Sequence, residues 1–245
     1  MRPTRTAAAL IIGDEILSGK IREANVFELA RVLRERGVEL ARVVVIPDTI
    51  PGIVHEVQQL SKAYDHLFTS GGVGPTHDDV TIAAIAEAFN VSVVRDPDLE
   101  RALRDHYGED VTENHLLLAN VPEGVKKLWS ARTPWPLTVL DNVWIMPGIP
   151  EVFRMKLEIV REHLEAGAPF VTRSVFTKLD EAALKPFLDE TVSQHPKVAI
   201  GSYPRWQDPK YETKVTFDGT DRNAVERAFT DFQQKLPDGE PLWTE

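Results

Sequence analysis

Two adjacent carboxylates inside a glycine-rich turn are the groups best placed to do chemistry in this chain. They are Asp78 and Asp79, in the run Thr69-Ser70-Gly71-Gly72-Val73-Gly74-Pro75-Thr76-His77-Asp78-Asp79-Val80-Thr81. Glycines there let backbone N–H groups approach a ligand that a Cβ would hold off. A helix start beyond the turn would add unpaired donors and a positive dipole end, a combination that favours phosphate. The carboxylates complicate this. At ~4 Å and an effective dielectric of about 20, each repels a phosphate charge by about 4 kcal/mol, against roughly 1.5–3 kcal/mol for a hydrogen bond to a charged group. Repulsion competes with binding unless a cation intervenes, so the run implies a divalent, Mg²⁺-like metal bridging carboxylate and phosphate oxygens. The bland reading is a tight turn, with Thr76 and Asp79 as a capping box and both acids complementing the helix dipole. The density of Gly, Pro, Thr and Asp exceeds what a turn needs and favours a site. His77 reads either as a general acid or base or as a plain loop residue.

The elements that must position these groups follow from periodicity. Asp65-His66-Leu67-Phe68-Thr69 reads as a short buried strand, and Ile82, Ile85, Ala86 and Phe89 form the apolar stripe of a helix. Upstream, Ala7-Ala8-Ala9-Leu10-Ile11-Ile12 suits a strand buried on both faces of a parallel sheet. The loop after it, Gly13-Asp14-Glu15-Ile16-Leu17-Ser18-Gly19-Lys20-Ile21, resembles the NTPase phosphate loop. It has one residue too many between its glycines, and Ile21 stands where the Mg²⁺-binding hydroxyl belongs, so that reading is rejected. Asn25 is expected to N-cap a helix carrying Val26, Leu29, Ala30 and Leu33, which ends near Gly37. Val43-Val44-Val45-Ile46 reads as a second buried strand ending at Pro47-Asp48, and Ile53, Val57 and Leu60 mark the next helix. Strand–helix alternation without a break predicts a three-layer α/β fold, a parallel sheet with helices on both faces. Asp14 and Glu15, Asp48, and the glycine loop each follow a strand. They therefore meet along one edge, outside the carboxyl ends of the strands, where ligands bind in such sheets.

Further along, Val91-Ser92-Val93-Val94 is a short strand, Asp96-Pro97 opens a charged helix to about Tyr107, and residues 113–119 form another short helix. The Pro and Trp content of residues 121–138 predicts irregular strands in a small β appendage. Val143-Trp144-Ile145-Met146 returns to a buried strand and ends in Pro147-Gly148-Ile149-Pro150, before a closing helix striped by Phe153, Leu157, Val160 and Leu164. Gly167-Ala168-Pro169 is the expected linker, giving domains 1–168 and 169–245. The second reads β-α-β-β-α: strands over 171–179, 198–204 and 213–217, and helices over 181–192 and around Val225, Ala228, Phe229 and Phe232. Trp129, Trp135, Trp206 and Trp243 read as core or interface residues, core being the favoured assignment.

Composition bounds the function. The 245 residues allow one large domain or two smaller ones and a substantial core. A net charge of −10 argues against a nucleic-acid partner. In residues 171–245 acids outnumber bases thirteen to ten, and there is no G-x-x-G loop. The absence of cysteine excludes disulfides, thiolate metal sites and a Cys nucleophile. The seven His show no metal-ligand spacing. The basic start leads into only a short apolar run, with no membrane span or signal peptide, so no membrane partner and a cytoplasmic location are expected.

The glycine run also resembles the signature of the MoaB/Mog-type molybdopterin-binding domain, in the version found at the N-terminus of CinA-type proteins and of eukaryotic FAD synthases. The similarity extends more weakly over most of the chain, and residues 169–245 resemble the KH-like appendage of CinA-type proteins. It implies that the loop of Gly71, Gly72 and Gly74 holds a phosphate-bearing ligand. Asp79 would take part in metal-dependent chemistry, with the residue matching Asp48 across the same cleft. Asp78 marks the CinA-type version, since Mog-type enzymes carry Arg there, which makes adenylyltransferase activity the less favoured reading. Pro75, Thr76 and Thr81 also match, as do Gly13, Asp14, Glu15 and Gly19 of the opening motif, Asn25, and Pro147, Gly148 and Pro150. The Asp-Thr that usually precedes the Asn is Glu23-Ala24 here, and the family's Asn-Pro-x-Gly-x-Ala-Pro-Gly loop is not recognisable in residues 130–137. The CinA C-terminal amidase domain is absent, so deamidase activity is not predicted. A homo-oligomer is implied.

Three functions compete. In the first, the chain is an enzyme that cleaves the pyrophosphate of an ADP-ribose-like substrate with Mg²⁺, Mn²⁺ or Co²⁺. Asp79, with Asp48 or Asp78, would hold the metal, and Ser70 and the glycines would line the phosphate cradle. In the second it binds a pterin or nucleotide without turnover. In the third it is a partner subunit with a vestigial site.

Overall fold

The computed structural model describes residues 5–206 and 210–245. The chain divides into two compact units, Met1–Gly167 and Ala168–Glu245.

The first unit runs β1 (Arg5–Ile12), α1 (Asp14–Leu17), α2 (Asn25–Glu35), β2 (Val38–Ile46), α3 (Ile50–Ala63), β3 (His66–Ser70), α4 (Thr81–Phe89), β4 (Val93–Arg95), α5 (Pro97–Tyr107), α6 (Glu113–Leu116), β5 (Asn120–Pro122), β6 (Lys126–Leu128), β7 (Leu137–Leu140), β8 (Val143–Ile145) and α7 (Pro150–His163). Its main sheet has the order β2-β1-β3-β8-β7-β6. The first four strands are parallel, and β7 and β6 extend the sheet antiparallel. Every side chain of β1 from Ala7 to Ile12 is buried. Its odd-numbered residues pack with Leu29, Val32 and Leu33 of α2 and Phe153, Leu157 and Val160 of α7. Its even-numbered ones pack with Ile53, Val57 and Leu60 of α3 and Ala84 and Ile85 of α4. Helices therefore cover both faces, as the unbroken apolar run requires.

The order places β1 between β2 and β3. The crossovers leaving β1 toward one neighbour and arriving at the other lie on opposite faces, because both must be right-handed. The carboxyl ends of β1 and β3 thus flank the topological switch point, which is the crevice position in sheets of this kind.

Four expectations need correction here. The strand at residues 43–46 is not buried but forms the sheet's edge. With one neighbour only, β2 leaves Val43 and Val45 exposed at 43% and 37%. Residues 121–138 are not a separate appendage. β6 and β7 join the main sheet, and β5 pairs instead with β4 beside a satellite core of Leu99, Leu103, Leu116 and Val121. The loop after β1 contains a short helix, α1. The tryptophans are not all core: Trp129, Trp206 and Trp243 are exposed, and Trp135 packs on the satellite core.

The second unit contains β9 (Val171–Thr177), α8 (Glu181–Gln194), β10 (Ala199–Pro204), β11 (Thr213–Gly219), α9 (Arg222–Lys235) and β12 (Trp243–Thr244). Its antiparallel sheet has the order β10-β11-β9-β12, one strand more than the periodicity reveals. Two residues are too few to carry an alternation. Val175, Val215 and Phe217 on one face of the sheet pack against Leu184 of α8 and Val225, Phe229 and Phe232 of α9.

Among the described residues, no helix is long and apolar enough to cross a membrane.

Candidate functional site

Four strand ends converge at the carboxyl edge of the first unit. After β1, the chain turns at Gly13, whose N–H donates to the Ile46 carbonyl of β2 (3.1 Å). The next N–H, of Asp14, donates to Oδ2 of Asp48 at 2.8 Å. After β3, the chain enters Gly71 with φ +109° and Gly72 with φ +64°. A Cβ at Gly71 would overlap the Ile12 carbonyl oxygen, and one at Gly72 would overlap Oγ1 of Thr81 and reach Oδ1 of Asp48 at 3.5 Å. After β8, a Cβ at Gly148 would lie 3.2 Å from Cα of Gly71. The glycines are spent on letting these loops touch one another, and this contact brings Asp48 beside Gly72.

Several expected site residues hold this junction together instead of facing solvent. Asn25 is only 6% exposed. Its Nδ2 donates to Oγ of Ser70 (3.0 Å) and to the Gly148 carbonyl (2.8 Å). Ser70 Oγ in turn donates to the Pro147 carbonyl at 3.3 Å. One amide thus ties the start of α2 to the ends of β3 and β8. Asn25 is the first residue of α2 and not its N-cap, which is Ala24. The capping is done by Glu23, whose Oε1 accepts from the N–H groups of Asn25 (2.7 Å) and Val26 (2.9 Å). Glu23 therefore supplies an acceptor despite departing from the expected Asp-Thr pair. An acid two residues before a buried Asn is the signal that could have found it. Thr81 is fully buried. Its hydroxyl donates to the Gly71 carbonyl (2.9 Å) and its N–H to the Gly72 carbonyl (2.9 Å).

Asn25→Ala would remove one buried and one part-buried hydrogen bond and leave the Ser70 hydroxyl short of a donor. The expected loss is about 1–3 kcal/mol, at about 2–4 °C in melting temperature per kcal/mol for a chain of this size. A thermal melt checks it.

The remaining acids stand around the crevice differently from one another. Asp79 turns inward. Its Oδ2 accepts from the N–H (2.9 Å) and hydroxyl (2.5 Å) of Thr76, and a Cβ at Gly74 would come within 2.5 Å of it. The Thr76–Asp79 pair is therefore present, but it closes a turn one step before the helix. α4 begins at Thr81, and neither acid lies in its first turn. Asp78 is exposed, and its Oδ1 accepts from the Thr76 hydroxyl, which holds its carboxyl below the usual range. Asp14, Glu15, Pro75, Thr76 and His77 are exposed, and Gly148 opens to solvent as well. His77 Nδ1 lies 3.9 Å from Oδ1 of Asp78.

Asp48 is the electrostatically loaded group. Burial raises its pKa above the ordinary 3.8, the Asp14 N–H opposes this, and the carboxylates of Glu15, Asp14 and Asp78 push it further up. A raised folded pKa stabilises the fold fully below the unfolded value of 3.8, and that contribution is lost as pH rises through the folded value. Asp48→Asn keeps an oxygen for the Asp14 N–H and removes the charge. It is expected to raise the melting temperature near neutral pH, and the advantage should shrink steadily as the pH falls toward about 4. Paired melts across that range read it out.

Among the described residues no group of three or more His, Asp or Glu is arranged to hold a metal ion. Asp48, Asp78 and Asp79 thus do not make a preformed cage. The donor set fits a hard cation of the Mg²⁺ kind, which keeps its waters and takes one or two carboxylates together with substrate phosphates. Two carboxylates lie against the glycine loop: Asp79 beside Gly74, where Thr76 engages it, and Asp48 beside Gly72. Among the described residues, the N–H groups of Gly72, Val73 and Gly74 have no protein acceptor.

The loop over residues 130–137, unrecognisable in the sequence, is held by Lys156. Its Nζ donates to the carbonyls of Trp135 (2.9 Å) and Pro136 (2.5 Å). Burial lowers this amine to about 8.

Comparison with known proteins gives the following matches. Residues 8–166 match the family described as "Probable molybdopterin binding domain", and residues 169–243 match "FAD synthase, middle domain". A protein of Archaeoglobus fulgidus is 33% identical over 227 residues, covering 93% of this chain and 96% of its own. A "Probable FAD synthase" of Caenorhabditis elegans is 30% identical over 263 residues, covering 96% of this chain. The chain spans 51% of that relative's length. The crystal structure of CinA from Thermoplasma acidophilum, described as of unknown function, superposes with a TM-score of 0.59 at 25% identity. The superposition covers 65% of this chain and 97% of that one.

Proposed function

We propose that this chain, which belongs to the family of probable molybdopterin binding domains, binds a phosphorylated nucleotide or pterin at the β1/β3 edge of its first unit. There it hydrolyses the pyrophosphate of an ADP-ribose-like substrate with a divalent metal. The observation that carries the reading is the set of three successive N–H groups, Gly72 to Gly74, with no protein acceptor among the described residues, beside the Asp48 carboxylate. Such N–H groups donate to an anion's oxygens, and here they would do so next to a negative charge that a cation has to offset. A Mg²⁺, Mn²⁺ or Co²⁺ ion held by Asp48 and the substrate phosphates, with Asp78 in reach of the same opening, would polarise the phosphoryl group. Asp79 keeps the loop in shape through Thr76. Gly13 and Asp14 hold Asp48 toward the cradle. The nucleotide reading is further supported by the likeness to FAD synthases over nearly the whole chain.

Incubation with ADP-ribose and each of the three metals is expected to release AMP. No AMP with any metal at high enzyme concentration refutes the hydrolase. A second reading, binding without turnover, is favoured by the lack of a preformed cage among the described residues. It predicts strong thermal stabilisation by nucleotides or pterins with no product. A homo-oligomer and a cytoplasmic setting belong to the same proposal. Leu17, Ile21, Phe27, Val43 and Val45 are exposed apolar side chains available to a subunit contact, and light scattering reads the assembly directly.

A further inference from the structure

The outer face of the second unit's sheet carries one transverse row whose chemistry the site above does not use. The strand registers pair Tyr203 with Lys214, Lys214 with Phe176 and Phe176 with Trp243, so four neighbouring strands present Tyr, Lys, Phe and Trp side by side. None of the four belongs to the helix-covered core, which takes Val175, Val215 and Phe217 from the opposite face. Phe176 and Trp243 stack with centroids 4.5 Å apart and planes 12° apart, and Tyr211 meets both edge-on. Those rings satisfy one another.

Tyr203 is different. A Cβ at Gly201 would lie 2.8–3.0 Å from the Tyr203 ring atoms, so the ring lies over the bare backbone of Gly201. One face rests on the sheet, the other points outward, and the residue is 56% exposed. Directly across on β11, Lys214 places its ammonium 5.2 Å from the Phe176 centroid, and among the described residues no carboxylate pairs with it. Trp206, just past the end of β10, is 91% exposed.

We propose that Tyr203 and Lys214 form a binding site for a nucleoside monophosphate, the base stacking on Tyr203 and the phosphate meeting Lys214. Their strands are about 4.8 Å apart, but the Tyr203 ring lies back over Gly201 while the Lys214 ammonium leans to Phe176, so ring and cation stand further apart than their backbones. That suits a ligand in which a sugar separates the flat ring from the anionic group. Every nucleobase offers a π-face to an aromatic platform on a sheet. A single-stranded nucleic acid is the poorer occupant. Tracking its backbone needs a basic groove, whereas acids exceed bases thirteen to ten over residues 171–245. This site is independent of the one at the β1/β3 edge.

The test is an NMR titration of the full chain, ¹⁵N-labelled, with AMP, adenosine, inorganic phosphate and a short oligoribonucleotide. AMP is expected to give saturable shifts at the amides of Gly201, Tyr203 and Lys214. Tyr203→Ala should weaken it roughly tenfold, while Tyr203→Phe keeps it. Lys214→Gln should bring AMP affinity down to that of adenosine. Asp48→Asn, in the other unit, should leave these shifts in place, so a failure there and a failure here are separable. The proposal is overturned by absence of saturable shifts with AMP, or by unchanged binding in both Tyr203→Ala and Lys214→Gln. Phosphate alone binding as well as AMP, or the oligonucleotide binding more tightly than AMP, overturns it equally.

Discussion

Gly71→Ala is expected to lower the stability of the first unit by about 2–6 kcal/mol, a large share of the roughly 5–15 kcal/mol a domain has, and to abolish binding at the glycine loop. Two costs combine. At φ +109° an L-residue is strained by about 1–3 kcal/mol. The added methyl would also overlap the Ile12 carbonyl, a backbone atom that cannot swing aside, at a further cost of about 1–3 kcal/mol. Relief requires β1 and β3 to separate at their carboxyl ends, which is where the crevice is. Gly19→Ala is the control. Its φ of +72° carries strain, but nothing lies within 4 Å of the added Cβ. Denaturant melts of the two variants should therefore differ by the close-approach cost. Equal losses would show that the Gly71 contact with Ile12 does not matter.

Asp48→Asn is expected to tighten ligand binding without metal and to slow turnover with it. In a chelator, removing the carboxylate relieves repulsion on the phosphate, and ADP-ribose should bind about tenfold more tightly, a difference of about 1.4 kcal/mol. With Mg²⁺ or Mn²⁺ present, the variant has lost the metal's protein ligand, and AMP release should fall by about 10²-fold, the scale of losing one group that stabilises transition-state charge. A purely structural role for Asp48 cannot invert with metal, because the Asp14 N–H still finds an oxygen on Asn. Parallel loss of binding in both conditions would assign Asp48 to loop architecture.

Much of this was legible in the sequence because it follows from periodicity. The continuous apolar run of β1 requires cover on both faces, and the stripe of Ile82, Ile85, Ala86 and Phe89 requires a helix directly after the glycine loop. Both are found. The gathering of Asp14, Asp48 and the loop at one edge follows from parallel topology alone. What was not legible depends on contacts between distant segments. A run of valines looks the same at the edge of a sheet as in its middle, so the exposure of Val43 and Val45 cannot be read from it. Asn25 next to a helix start reads as a cap, and only the approach of Ser70 and Gly148 makes it a buried tie. Thr81 matches the resembled loop motif by position, and only the fold shows that its hydroxyl donates to Gly71. Tryptophan is a poor guide to burial when a short chain segment, such as the one carrying Trp206, lies at a strand end.

The dependence of phosphate binding on a cation can be measured directly by calorimetric titration of the wild-type chain with ADP-ribose, once in Mg²⁺ and once in excess EDTA. Glycine N–H groups beside Asp48 and Asp79, with the charges of Glu15, Asp14 and Asp78 acting on Asp48, should bind the ligand at least about tenfold more tightly with the metal, since the uncompensated carboxylates otherwise oppose it. Equal affinity in the two buffers would contradict the account.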